Sequence, residues 1–258
     1  MRYLFGIVAL FISLYTCAGS MAGGESRFPP EQIIRFSKQV EKTLAAKGAQ
    51  VAIIARVGRP ASEMPDGMHF THVSFAVYSQ ISTADGRNLP GYAVYNEYQS
   101  DEHPDTSSLV QDFPVDFFAG VAQLEAGIII PSARLQMRLL DTITSPVYRQ
   151  LHDPRYSAIA NPYTLGRQNC TEHTLDVINA AIYQTDDINK IKAAEKKYYV
   201  AQTVNVSGFK LMLGAIFSSE ITLSDHPATP VTATFETIAE YLQKYDEGSE
   251  VFIILPEQ

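Results

Sequence analysis

The 258-residue chain has no cluster of lysines and arginines anywhere, and its formal charge is −8. That argues against nucleic acid as a partner, because phosphate recognition needs a basic face. It has no glycine-rich phosphate loop and no G-x-S-x-G elbow, which removes the two commonest signatures of nucleotide and serine-hydrolase chemistry. Aspartate–histidine neighbours occur in "LHDPRY" and "SDHP", but neither has the ligand spacing of a zinc helix or knuckle. We therefore expect no metal and no cofactor. Beyond the N-terminus, long apolar runs are also lacking: "AGIII" at 126–130 stops at Pro131. No integral membrane segment is expected after the first 22 residues.

Cysteine is scarce, with only Cys17 and Cys170. The first belongs to "MRYLFGIVALFISLYTCAGSMAGGES", where Arg2 precedes an apolar run from Tyr3 to about Tyr15 and small residues follow. That order reads as a secretory signal peptide over 1–22. Cleavage near Ser20 or Ala22 discards Cys17 and, with Arg2, one positive charge. The alternative, a lipoprotein anchored at Cys17, lacks the usual small residue just before the cysteine. The expected location is periplasmic or secreted, and residues 23–258 are expected to form one domain.

Export leaves Cys170 alone in an oxidising compartment, where cysteines are usually paired. A leftover thiol is a buried small hydrophobe, an intermolecular disulfide partner or a reactive group. Its setting is "NPYTLGRQNCTEHTLDVINAA", turn formers before it and a helical pattern after it. A thiol opening a helix feels the positive end of the dipole and nearby backbone N–H groups, which favour the thiolate and can hold an oxyanion.

The rest of the chain reads as a mixture of helices and strands. A helix is expected over Glu31–Lys47, followed by the β-rich "QVAIIARVG". "FTHVSFAVYS" and "YAVYNEYQ" form a hairpin across Asp85-Gly86. Thr71, Val73, Phe75 and Val77 point one way in the first strand, and His72, Ser74, Ala76 and Tyr78 the other. "SLVQDFPVDFFAGVA" is expected to contain a short helix after Pro114, and "PSARLQMRLLDTI" to form a longer one. "DDINKIKAAEKKYY" reads as a charged surface helix or loop, and a helix and a strand end the chain.

Among six histidines, His72 interrupts an apolar strand and is the best candidate base for the thiol. His173 lies three residues after Cys170 and could share its helix face. His103, His152 and His226 read as solvated loop residues. A polar residue on the returning strand could orient the imidazole, Asn96 or Glu97 according to register.

The order of these segments resembles a circularly permuted papain-like (NlpC-type) hydrolase, such as the lecithin retinol acyltransferase-like proteins, in which the histidine hairpin precedes the cysteine helix. "RVGRPASEMPDGMHFTHVSFAVYS", "YAVYNEYQ" and "NPYTLGRQNCTEHTLDVI" also resemble a family of exported bacterial proteins of unassigned function. The resemblance implies an α+β fold, a small antiparallel sheet packed against helices. It implies Cys170 as nucleophile, His72 as base and Asn96 as orienting residue, where relatives tend to carry histidine. Gln168 or Tyr163 would help hold the oxyanion. The implied activity is hydrolysis or acyl transfer at an amide or ester bond of a cell-envelope peptide or lipid. The alternative is a catalytically inactive binding module for a cell-envelope peptide or protein partner.

Overall fold

In the computed structural model, residues 26–60, 64, 67–83, 85–204 and 222–257 are described. The expected signal peptide and Cys17 lie outside them. Helix α1 (Pro30–Ala46) starts where Pro29 and Pro30 fix the backbone and Glu31 meets the positive helix end. Its Ile33, Phe36, Val40 and Leu44 form one buried stripe, and Gly48 ends the segment at φ +66°.

Six strands make one antiparallel sheet: β1 (Val51–Val57), β2 (His72–Ser82), β3 (Asn88–Gln99), β4 (Ser107–Asp112), β5 (Gln123–Ile130) and β8 (Glu250–Ile254). Their order is β4-β3-β2-β1-β5-β8. A two-residue pair, β6 (Gln202–Thr203) with β7 (Val231–Thr232), stands apart. The helices after α1 are α2 (Pro114–Phe117), α3 (Ala133–Thr144), α4 (Val147–Gln150), α5 (Cys170–Tyr183), α6 (Ile188–Tyr198) and α7 (Phe235–Tyr245). The fold is therefore α+β, an antiparallel sheet packed against helices.

Period-2 alternation divides the sheet into two faces. Val51, Ile53, Ala55, Val73, Phe75 and Val77 join one core with Leu135 and Leu139 of α3, Leu175 and Ile178 of α5, and Ile238 and Leu242 of α7. Ala52, Ile54, Ala76, Val94, Ala126 and Ile128 join another with α1 and the Phe117–Phe118 corner. Strand β1 is buried along its whole length because both its faces are covered. Gly127 sits where Phe70 and Phe235 close on the first face: an added Cβ would lie 2.8 Å from the Cζ atom of each ring.

Two segments differ from the sequence reading. Ser107–Asp112 is a strand, so the stretch before Pro114 extends the sheet. The segment read as a charged surface element is α6, and it buries Lys192 and Glu195. The reason is tertiary: Lys192 Nζ lies 2.8 Å from Glu172, 2.7 Å from Asp176 and 3.2 Å from Glu195. Carboxylates from α5 supply the partners that let a lysine leave water.

Candidate functional site

Cys170 is the first residue of α5. Asn169 caps the helix in extended conformation, and its side-chain oxygen accepts the Glu172 N–H at 2.9 Å and the Thr171 hydroxyl at 2.7 Å. The amide of Asn169 donates to the Ala158 carbonyl and to Thr232, which ties the helix start to the Ala158 segment and to β7. The thiol is buried and forms no disulfide among the described residues.

His72 begins β2 and is 1% exposed. The β2–β3 register sets Phe75 opposite Tyr95 and Ala76 opposite Val94, so Asn96, not Glu97, shares the His72 face. Nε2 of His72 lies 3.0 Å from Oδ1 of Asn96 and 3.1 Å from the Ser74 hydroxyl. Ser74 also donates to Asn96 Oδ1. The Asn96 amide nitrogen in turn donates to Asp112 Oδ1 at 2.7 Å, and the Tyr98 hydroxyl donates to Asp112 Oδ2 at 2.8 Å. The imidazole stacks on Tyr98 and leans on Phe117. Among the described residues, His72 Nδ1 is buried and has no hydrogen-bond partner.

Arg56, opposite His72 in the β1–β2 register, lies in the same layer. Its guanidinium donates to the Phe117 carbonyl and lies 5.6 Å from the centre of the Tyr98 ring and 5.2 Å from that of Phe117. Burial draws the Arg56 pKa down, opposed by the nearby Tyr98, Asp112 and Cys170 groups, so the thiol lies within electrostatic range of this cation. Burial holds His72 well below its ordinary value. The Arg56 charge acts in the same direction, and the bond to Asn96 partly opposes both. The imidazole is therefore neutral near pH 7. Burial pushes Asp112 up to about 6, against the hydrogen bond from Tyr98 and the Arg56 charge.

Helix α5, which Cys170 opens, packs on the face of Val73 and Phe75, whereas the His72 ring lies on the other face beside Phe117. The structure joins His72 to Asn96 and does not hydrogen-bond the imidazole to the thiol. Arg56 is a residue whose electrostatics reach both.

Other candidates have different occupations. His173 directs Nε2 at the Tyr148 carbonyl, 3.1 Å away, and burial lowers its pKa to about 3. The Gln168 amide donates to Leu151 O and Asp176, while its oxygen accepts from the Asp153 N–H, so it holds loops together and is not directed at an oxyanion. The Tyr163 hydroxyl donates to Tyr199 O and accepts from the Ala201 N–H. His103 is exposed as expected. His152 bonds the Ser107 hydroxyl, and His226 lies between Ile159 O and the Val231 N–H, so these two are loop ties and not solvated side chains. Glu97 lies on the α5 side of the sheet, where burial chiefly raises its pKa to about 8. Sequence reading misses Asp112 and Arg56 as neighbours of His72. Asp112 carries no local signal, because its approach depends on β4 pairing with β3.

Among the described residues, no three His, Cys, Asp or Glu side chains converge as a metal site, and no helix is long and apolar enough to cross a membrane. Residues 43–242 match the family described as "Uncharacterized protein conserved in bacteria (DUF2145)", and the chain belongs to that family. No curated protein and no solved structure matches it.

Proposed function

We propose that this member of the DUF2145 family is an exported thiol hydrolase or acyltransferase on a permuted papain-like scaffold, with Cys170 as nucleophile, His72 as base and Asn96 as orienting residue. One observation carries the reading: His72 Nε2 is engaged by Asn96 Oδ1 at 3.0 Å, while Nδ1 has no hydrogen-bond partner among the described residues. An amide oxygen only accepts, so Nε2 carries the proton and Nδ1 keeps its lone pair. A neutral imidazole so oriented can take a proton from a thiol. Arg56, within electrostatic range of both groups, adds positive charge that favours a thiolate.

In this reading His72 Nδ1 removes the Cys170 proton, and the sulfur attacks the carbonyl carbon of an amide or ester. The carbonyl electron pair moves to oxygen, and backbone N–H groups in the first turn of α5 hold that oxyanion. Collapse re-forms the carbonyl and expels the amine or alcohol, which takes the proton back from His72. Water then attacks the thioester in hydrolysis, or a second alcohol or amine does so in acyl transfer. In either case the thiol is regenerated. Export points to envelope peptides or lipid esters as substrates.

Incubation with p-nitrophenyl acetate followed by mass spectrometry tests this reading. An acetyl adduct on Cys170 that is absent in His72→Ala supports it. No adduct on the folded protein favours the second reading, a catalytically silent binding module for an envelope peptide or protein partner. Two observations stand on that side: the thiol is only 4% exposed, and α5 packs on the sheet face opposite the His72 ring, with no hydrogen bond between thiol and imidazole.

A further inference from the structure

We propose that Asp112 is a positioning residue that fixes the Asn96 amide and, through it, the tautomer of His72. The inference rests on the reading of His72 as the base. Asn96 could present either end of its amide to the imidazole. With Oδ1 inward, His72 carries its proton on Nε2 and keeps on Nδ1 the lone pair that the proposed base needs. With Nδ2 inward, the amide donates, Nε2 must accept, and the proton moves to the buried Nδ1, which has no acceptor among the described residues. A buried N–H without an acceptor is costly.

Asp112 resolves this choice. Its carboxylate only accepts, and Oδ1 takes the Asn96 Nδ2–H at 2.7 Å. Oδ2 is held by the Tyr98 hydroxyl at 2.8 Å, so the carboxylate is aimed by a ring that itself stacks on His72. Among the described residues, Asn96 Nδ2 has one further acceptor, the Val94 carbonyl at the long distance of 3.4 Å. The Ser74 hydroxyl donates to Asn96 Oδ1 and so favours the same orientation. Arg56 supplies the positive charge that lets a carboxylate reside here. The resulting order is Tyr98 to Asp112, Asn96 to Asp112, and His72 to Asn96, each donor pointing toward the acid.

The geometry also accounts for asparagine at this position. A histidine bonded to the base can switch between donor and acceptor by moving a proton. An asparagine cannot, and needs an external acceptor to set its orientation. Asp112 ends β4 in register with Val94, which places its side chain on the same face as Asn96.

The test is the tautomer of His72, read from long-range proton–nitrogen correlation spectra of the purified protein and assigned with His72→Gln. The wild type is expected to show a single Nε2–H form. Asp112→Ala is expected to show a mixture with Nδ1–H, and the alkylation rate of Cys170 is expected to fall about tenfold, the loss that corresponds to one hydrogen bond to a charged group. Asp112→Asn, which is nearly isosteric, should move both readouts in the same direction by less, and it decides the matter should the alanine variant not fold. A folded Asp112 variant that keeps a pure Nε2–H form and the wild-type alkylation rate would overturn the assignment. A tautomer that shifts while His72→Ala leaves thiol reactivity untouched would retain Asp112 as the positioning residue and remove the hydrolase reading.

Discussion

Nε2 of His72 and Oδ1 of Asn96 are 3.0 Å apart, across two strands joined by one hairpin. Glu97, the next residue along, is on the opposite face and faces α5. Two adjacent polar residues of β3 thus serve different layers of the protein. Asn96 belongs to a hydrogen-bond chain beside the candidate base. Glu97 lies near a buried acidic cluster, within electrostatic range of Asp176 and Glu172.

Glu97→Gln tests that division. Burial raises the Glu97 pKa to about 8 in the folded state, from an ordinary value of 4.5. The folded protein keeps a proton that the unfolded chain releases, so stability falls as pH rises through that window. The full difference corresponds to at most about 5 kcal/mol. The glutamine side chain has no proton to lose. Urea denaturation should find the variant close to wild type at pH ~5 and more stable at pH ~9. Equal pH dependence in the two proteins would show that Glu97 is not held protonated.

Lys192→Met addresses the cation of the acidic cluster. Its ammonium group contacts Glu172, Asp176 and Glu195, all within 3.2 Å. Removing it leaves carboxylates buried against one another. Breaking a buried ion pair by deleting one partner costs about 3–5 kcal/mol. Chemical denaturation near neutral pH should register a loss of that order. Lowering the pH should restore part of it, because protonated carboxyls no longer repel. A loss below about 1 kcal/mol would mean the cluster is already neutral without the lysine.

Gly127→Ala probes the closure of the first face. The new methyl group would sit 2.8 Å from the Cζ atoms of Phe70 and Phe235, and both rings are buried. Overpacking of this kind costs about 1–3 kcal/mol. A lower thermal midpoint with an intact far-ultraviolet spectrum is expected. An unchanged midpoint would show that the two rings yield freely.

The sequence discloses local features well. The β2–β3 hairpin follows from alternation and the Asp85-Gly86 turn, α1 from its prolines and apolar spacing, and the start of α5 from the turn formers before Cys170. The shared parity of His72, Ser74 and Ala76 is also legible, because a strand has a fixed period. What sequence alone leaves open is the pairing between strands. The choice between Asn96 and Glu97 needs the register. Asp112 joins the site only because β4 adds to the edge of β3, a contact with no local signature. Likewise Lys192 reads as a surface charge until α5 and α6 bring three carboxylates to it. The layer that each candidate faces is a tertiary fact, and it is the one that bears most on the thiol and the imidazole.

The alkylation of Cys170 by iodoacetamide as a function of pH, in wild type and His72→Ala, tests the central claim most directly. A thiol activated by the α5 terminus, Arg56 and His72 should react well below the pH that an ordinary thiol of pKa ~8.5 requires. In the alanine variant the profile should move up toward that of free cysteine. A wild-type thiol that reacts no faster than free cysteine, or one indifferent to the loss of His72, contradicts the account.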